Sequence, residues 1–143
     1  MITAARMKET LGGHRVLRGA EDLDALAARV RAGLPYAALD AFARRFSIPL
    51  RELTTVLNLP ERTLARRRRE GRLRADESDR LFRVGRVAAL AEEILGETAK
   101  AARWLRRPNR ALGGKTPLET LDTDLGASQV ETVLHRVEHG VFS

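Results

Sequence analysis

The chain has 143 residues, 43% of them hydrophobic, which suits one compact domain or two small ones sharing a core. It contains no cysteine, so disulfides and thiolate metal sites are excluded; the composition suits a reducing cytoplasm, which is the expected location. No apolar run approaches the ~20 residues that cross a bilayer and the first residues lack the apolar core of a signal peptide, so no membrane role is expected. The 26 Lys and Arg against 19 Asp and Glu give a net charge of +7, which favours a polyanionic partner through counterion release.

In chain order, residues 1–20 carry Gly12, Gly13 and Gly19 among scattered charges and show no sustained period, so they are expected to form a flexible basic arm. From Glu21 onward Leu23, Leu26, Ala27 and Val30 recur at helical spacing as far as Gly33. Pro35 opens a second helix whose buried stripe is Leu39, Phe42, Ala43 and Phe46, closed by Ser47 before Pro49. Leu50, Leu53, Val56 and Leu57 then form the apolar face of a short helix, and Asn58, Leu59 and Pro60 break it.

The next helix is strongly basic. Pro60 is expected at its first helical position, Glu61 complements the positive end of the helix dipole, and Gly71 ends it. Arg62, Arg66, Arg67, Arg68, Arg69, Arg72 and Arg74 stand against only Glu70. A charge run is usually a solvated face, but a short apolar helix, a brief turn and a basic helix outline a helix-turn-helix, in which the second helix enters the major groove. Arg62, Thr63, Arg66 and Arg67 are the expected groove residues, while Arg69 and Arg72 are expected to hold phosphates. At ~100° per residue the arginines at 66–69 cover most of the helix circumference, so some of them must be structural or face solvent.

After Arg74 a long helix is marked by Leu81, Val84, Val87, Leu90, Ala91, Ile94 and Leu95, ending at Gly96. Ala101, Trp104 and Leu105 mark a short helix stopped by Pro108, with Trp104 a core or interface anchor, and residues 109–114 are turn-forming. Thr116 and Glu119 make a capping box with Pro117 at the first helical position. Leu125, Val130, Val133, Leu134 and Val137 define a terminal helix that Gly140 stops. No strand pattern competes, so the expected class is all-α.

Two motifs are dismissed on chemical grounds. His135, Glu138 and His139 match the H-x-x-E-H pattern of zinc hydrolases, but a third ligand and a sheltered cavity are needed, and no acidic residue follows His139. Gly114, Lys115 and Thr116 look like the end of a phosphate-binding loop, yet Asn109 stands where that loop needs glycine. No catalytic, metal or cofactor site is therefore expected.

The segment running from Arg103, Trp104 and Leu105 through Pro108, Asn109, Arg110, Ala111, Leu112, Gly113, Gly114, Lys115, Thr116, Pro117, Leu118 and Glu119 to Asp122 and Thr123 resembles the toxin-binding domain of the Xre/MbcA/ParS antitoxins. The ending from Gly126 to Gly140 with its short tail resembles it too, while Arg62, Thr63, Leu64 and residues 77–81 resemble the family's Xre-type helix-turn-helix and its connection. The resemblance covers about residues 21–143. It implies an Xre-like DNA-binding domain over 21–74 and a toxin-binding and dimerisation domain over 75–143. It also implies a RES-domain toxin that degrades NAD or transfers ADP-ribose, a homodimer within a larger complex, and repression of its own operon. Carried over by residue, it assigns masking of the toxin to Arg136, Glu138, His139, Val141, Phe142 and Ser143. A helix ending in a short tail with a terminal carboxylate is able to enter a cleft with little rearrangement. The alternatives are that Val141 and Phe142 fold back on the core, and that the chain is a plain dimeric helix-turn-helix regulator without a toxin.

Overall fold

The computed structural model describes residues 2–140, and among them it is all-α: nine α-helices and no strand. The helices are α1 Ala4–Thr10, α2 Leu23–Ala32, α3 Tyr36–Arg45, α4 Leu50–Val56, α5 Glu61–Glu70, α6 Ala75–Leu95, α7 Thr98–Leu105, α8 Pro117–Thr120 and α9 Asp124–Glu138. Side-chain caps start several of them: Asp22 accepts from the Ala25 amide at 2.8 Å, and Thr116 and Glu119 close a reciprocal capping box at 3.1 and 2.7 Å. Pro60 is one position earlier than expected. With ψ at 149° it is the extended residue before α5, and helical geometry begins at Glu61. The fixed φ of proline suits either position.

The expectation of a flexible arm over residues 1–20 is corrected by the structure. Thr3 caps α1 by accepting from the Arg6 amide, and Met7, Leu11, Leu17 and Ala20 are all at most 1% exposed. These side chains lie on two pieces of chain separated by a 3-10 turn at Gly13–Arg15, so no single period runs through them. α1 packs on α6, α2 and α3, and Gly85 of α6 leaves room for Met7 and Leu11: a Cβ there would stand 3.3 Å from Leu11 Cδ2.

At 21 residues α6 is the longest helix, and α1, α2, α7 and α9 all pack against it. It is therefore buried over most of its circumference, including Leu81, Val84, Val87, Ala88 and Ala91. One continuous core runs from Met7 to Leu134, so the two halves of the chain share α6. Deep in that core Glu92 is only 5% exposed. It accepts from Arg45 of α3 at 3.0 Å and from the Thr98 hydroxyl at 2.6 Å, and Arg6 of α1 lies 3.3 Å away. Burial pushes the Glu92 carboxyl up, but the bonds from Arg45 and Thr98 and the charges of Arg45 and Arg6 outweigh it and hold the group below the ordinary glutamate range. Two residues expected in apolar stripes are instead exposed, Leu23 at 56% and Leu125 at 72%, each in the first turn of its helix beyond the reach of the core.

The C-terminal part closes on itself through backbone approach. Thr123 caps α9 by accepting from the Gly126 amide at 2.9 Å, and α9 comes so near α8 that a Cβ at Gly126 would fall 1.8 Å from the Thr120 carbonyl oxygen. Backbone cannot yield as a side-chain tip can. Gly126→Ala should therefore destabilise the fold by about 2–3 kcal/mol, the upper part of the overpacking range, read as a lower urea midpoint with the same m-value. An unchanged midpoint would show that α8 moves freely relative to α9.

Candidate functional site

Helices α4 and α5 are joined by the turn 57–60. Leu57 and Leu59 are buried there, and Asn58 takes a left-handed conformation with φ of 51°, which asparagine tolerates better than most residues. The Leu59 amide donates to the Thr54 carbonyl at 2.8 Å, which closes the turn tightly and sets α5 across α4. Buried Leu53 and Val56 hold α4 to the core, and half-buried Leu64 is the apolar contact made by α5. Few other side chains of α5 are apolar, so its position rests on polar contacts.

Those contacts sort the arginines. Arg67 is 4% exposed; its Nε donates to Glu77 Oε1 at 2.7 Å and its Nη1 to Glu70 at 3.1 Å. The same Glu77 oxygen accepts from the Arg74 amide at 2.8 Å, at the start of α6. Burial pushes the Glu77 carboxyl up, but the bonds from Arg67 and the Arg74 amide and the Arg67 charge dominate, and its pKa lies below the ordinary range. The bond to Glu77 likewise holds the Arg67 guanidinium more firmly protonated. Arg67 is thus removed from the set of expected DNA-reading residues. It occupies the inner face of α5, where an apolar anchor would stand, and it meets Glu77 rather than solvent.

Arg68 lies over the Tyr36 ring, 5.4 Å from its centroid, and donates to the Tyr36 hydroxyl at 3.1 Å. Arg72, expected to hold a phosphate, donates instead to the Gly33 carbonyl at 2.8 Å beside an antiparallel bridge of Pro35 to Arg72. That bridge is completed by the Tyr36 amide donating to Gly71 and the Leu73 amide donating to Leu34. Thr63 is only half-exposed on the flank of α5. Arg62, Arg66 and Arg69 remain exposed, and none of them makes a side-chain hydrogen bond or ion pair with the described residues. Arg62, Arg66 and Arg69 form one outward stripe within roughly 60° of one another on the helix, and exposed Ala65 flanks it on the side towards α4. Reading the sequence missed Ala65 and Glu77. The i, i+3 spacing from Arg62 would have marked the first, and an arginine at an inner helical position demands a carboxylate such as the second.

In the C-terminal part, a groove of about 480 Å³ runs along α9. Its lining includes Leu112, Lys115, Thr120, Gln129, Val133 and Arg136, so the expected partner-binding residue Arg136 lies on the same groove as Lys115. Glu138 and His139 are exposed at the end of α9, where Glu138 lies 3.3 Å from His135 Nδ1 and 4.0 Å from His139 Nε2. Val141, Phe142 and Ser143 lie outside the described residues. Among the described residues no group of three His, Cys, Asp or Glu side chains is placed to hold a metal, and no helix is long and apolar enough to cross a membrane.

Two short helices set across each other by a tight turn, with an outward arginine stripe on the second, make this a helix-turn-helix protein that carries a second helical module on a shared long helix. Residues 25–86 match the family model of the antitoxin Xre-like helix-turn-helix domain, and residues 90–140 match the antitoxin Xre/MbcA/ParS C-terminal toxin-binding domain. The chain is 42% identical to Antitoxin Xre of Pseudomonas putida over 108 residues, 71% of this chain and 68% of that protein. It is 35% identical to Antitoxin Xre of Yersinia enterocolitica over 116 residues, 80% of this chain and 78% of the relative. Against Antitoxin Xre of Photorhabdus laumondii it is 35% identical over 113 residues, 78% and 76% of the two chains. The chain belongs to the Xre/MbcA/ParS family of antitoxins.

Removing one partner of the buried pair leaves the other charged and alone. Arg67→Ala should cost about 3–5 kcal/mol in urea unfolding, whereas a surface arginine such as Arg62 should cost within about 0.5 kcal/mol. Because Glu77 and Glu92 have folded pKa values below their unfolded ones, the stability they contribute is full above the ordinary glutamate range near ~4.3 and is lost as the pH falls through their lower folded values. Glu77→Gln removes one such group, so its stability should fall less steeply with acid than that of the wild type. An equal slope for both proteins would mean that Glu77 titrates alike folded and unfolded.

Proposed function

We propose that this protein is a non-enzymatic antitoxin that binds and occludes a RES-domain toxin and represses its own operon by binding operator DNA as a homodimer. The observation that carries the reading is the match of residues 90–140 to a toxin-binding domain, joined through α6 to a helix-turn-helix. The relatives described above are named antitoxins, which supports this reading.

In this reading α5 lies in the major groove, with Arg62 and Arg66 near the base edges and Arg69, closer to the C-terminal end, on a phosphate. Two copies related by a twofold axis would place two α5 helices on successive turns of the duplex. The toxin would bind the C-terminal module, with Arg136, Glu138, His139 and the residues 141–143 at the mouth of its active site. The RES class of the partner and its use of NAD rest on family resemblance. Occlusion needs no chemistry from the antitoxin, only a surface that competes with substrate.

Expression with the neighbouring genes tests the whole reading. The expected result is a stable complex with a second chain that depletes NAD when expressed alone; a homodimer without a partner would favour a plain regulator. The two surfaces should also separate. Arg69→Ala should weaken duplex binding and lower the slope of log K against log salt by about 1, while leaving toxin neutralisation intact. Deleting residues 141–143 should weaken neutralisation and spare DNA binding. Full protection by the shortened chain would leave those three residues without a masking role.

A further inference from the structure

From the outward stripe of α5 we infer that this protein selects operator half-sites through G·C base pairs, with Arg62 and Arg66 each reading a guanine in the major groove. This deepens the DNA-binding reading and rests on it.

Of the arginines on α5, the structure spends Arg67 on Glu77 and Glu70, and Arg68 on Tyr36. Arg62 and Arg66 are exposed, one helical turn apart, and no ion pair or side-chain hydrogen bond to the described residues holds them. Ala65 flanks Arg62 on the side towards α4, so beside the arginine pair the helix presents only a methyl group. The remaining exposed side chain at the N-terminal end of α5 is Glu61.

The chemistry of the charged residues, Arg62, Arg66 and Glu61, points one way. A guanidinium donates two parallel bonds to guanine O6 and N7, and a carboxylate accepts from cytosine N4, so both side-chain types recognise a G·C pair. Bidentate recognition of adenine N6 and N7 needs Asn or Gln, and α5 contains neither. Four residues at ~1.5 Å rise separate Arg62 and Arg66 by ~6 Å along the helix, close to two base-pair steps of ~3.4 Å. The preferred half-site should therefore contain at least two G·C pairs within four successive positions.

Selection of duplexes from a randomised pool by the full-length protein tests this, followed by titration of the selected site with substituted bases. Replacing a contacted guanine by 7-deazaguanine removes N7 from the major groove and should weaken binding about 5- to 150-fold. Replacing it by inosine keeps O6 and N7, removes only the minor-groove amino group, and should leave affinity nearly unchanged. Arg62→Ala or Arg66→Ala should each relax preference at one base pair and not at the others. The base-analogue arm uses the wild-type protein, so it does not depend on any variant folding. A site of A·T pairs, equal tolerance of 7-deazaguanine, or a uniform loss across all sequences with Arg62→Ala would overturn the assignment while leaving DNA binding in place. Failure to bind any duplex would overturn the DNA-binding reading as well.

Discussion

Between α5 and the start of α6, Arg67 and Glu77 are taken out of water together, each about 5% exposed, and a single Glu77 oxygen meets both the guanidinium and the Arg74 amide. Charges buried this way are costly unless every partner is in place, so the pair tolerates only one relation between the two helices. α5 has little apolar surface with which to define its own position. Its orientation is consequently borrowed from α6 through this contact, with Arg68 on Tyr36 and the bridge of Pro35 to Arg72 holding the far end. The arginines that stay free are the ones left pointing outward.

The same long helix carries the second module. α9 and α7 pack on α6 below the Glu77 end, and Glu92, near its other end, gathers Arg6, Arg45 and Thr98 from α1, α3 and the start of α7. Two buried glutamates thus bracket α6, one locking the helix-turn-helix and the other locking the N-terminal helix and the C-terminal module to the same rod. Both are carboxylates held ionised against a desolvation penalty, so acid weakens both ends of the assembly by the same mechanism. A chain that must offer DNA and a protein partner separate surfaces gains from this arrangement, because neither surface contributes its exposed residues to the core.

Helix positions, the turn before α5, the capping box at Thr116 and the membership of the family were legible from spacing and motif alone, because each is set by residues within a few positions of one another. The placement of residues 2–20 was not. Met7, Leu11, Leu17 and Ala20 show no common period, and it is packing against elements distant in the chain, α6 with Met7 and Leu11 above all, that makes this segment core. Leu23 and Leu125 err in the opposite direction: periodicity marks them as buried, while the ends of their helices project past the core.

The arginine run shows where sequence ends and tertiary structure begins. Sequence alone determined that residues 62–69 form a basic second helix after a short apolar one, and helical geometry required that the arginines at 66–69 could not all face one partner. It could not say which of them turn inward, since Arg66 and Arg67 are the same residue on the same helix. Tertiary structure decided that by bringing Glu77 to the inner side of α5, which buries Arg67, and by placing Tyr36 against the still exposed Arg68, leaving Arg62, Arg66 and Arg69 without a side-chain partner among the described residues. The physical reason is that local sequence dictates where the backbone can coil, whereas the role of a charge depends on which opposite charge the folded chain places beside it.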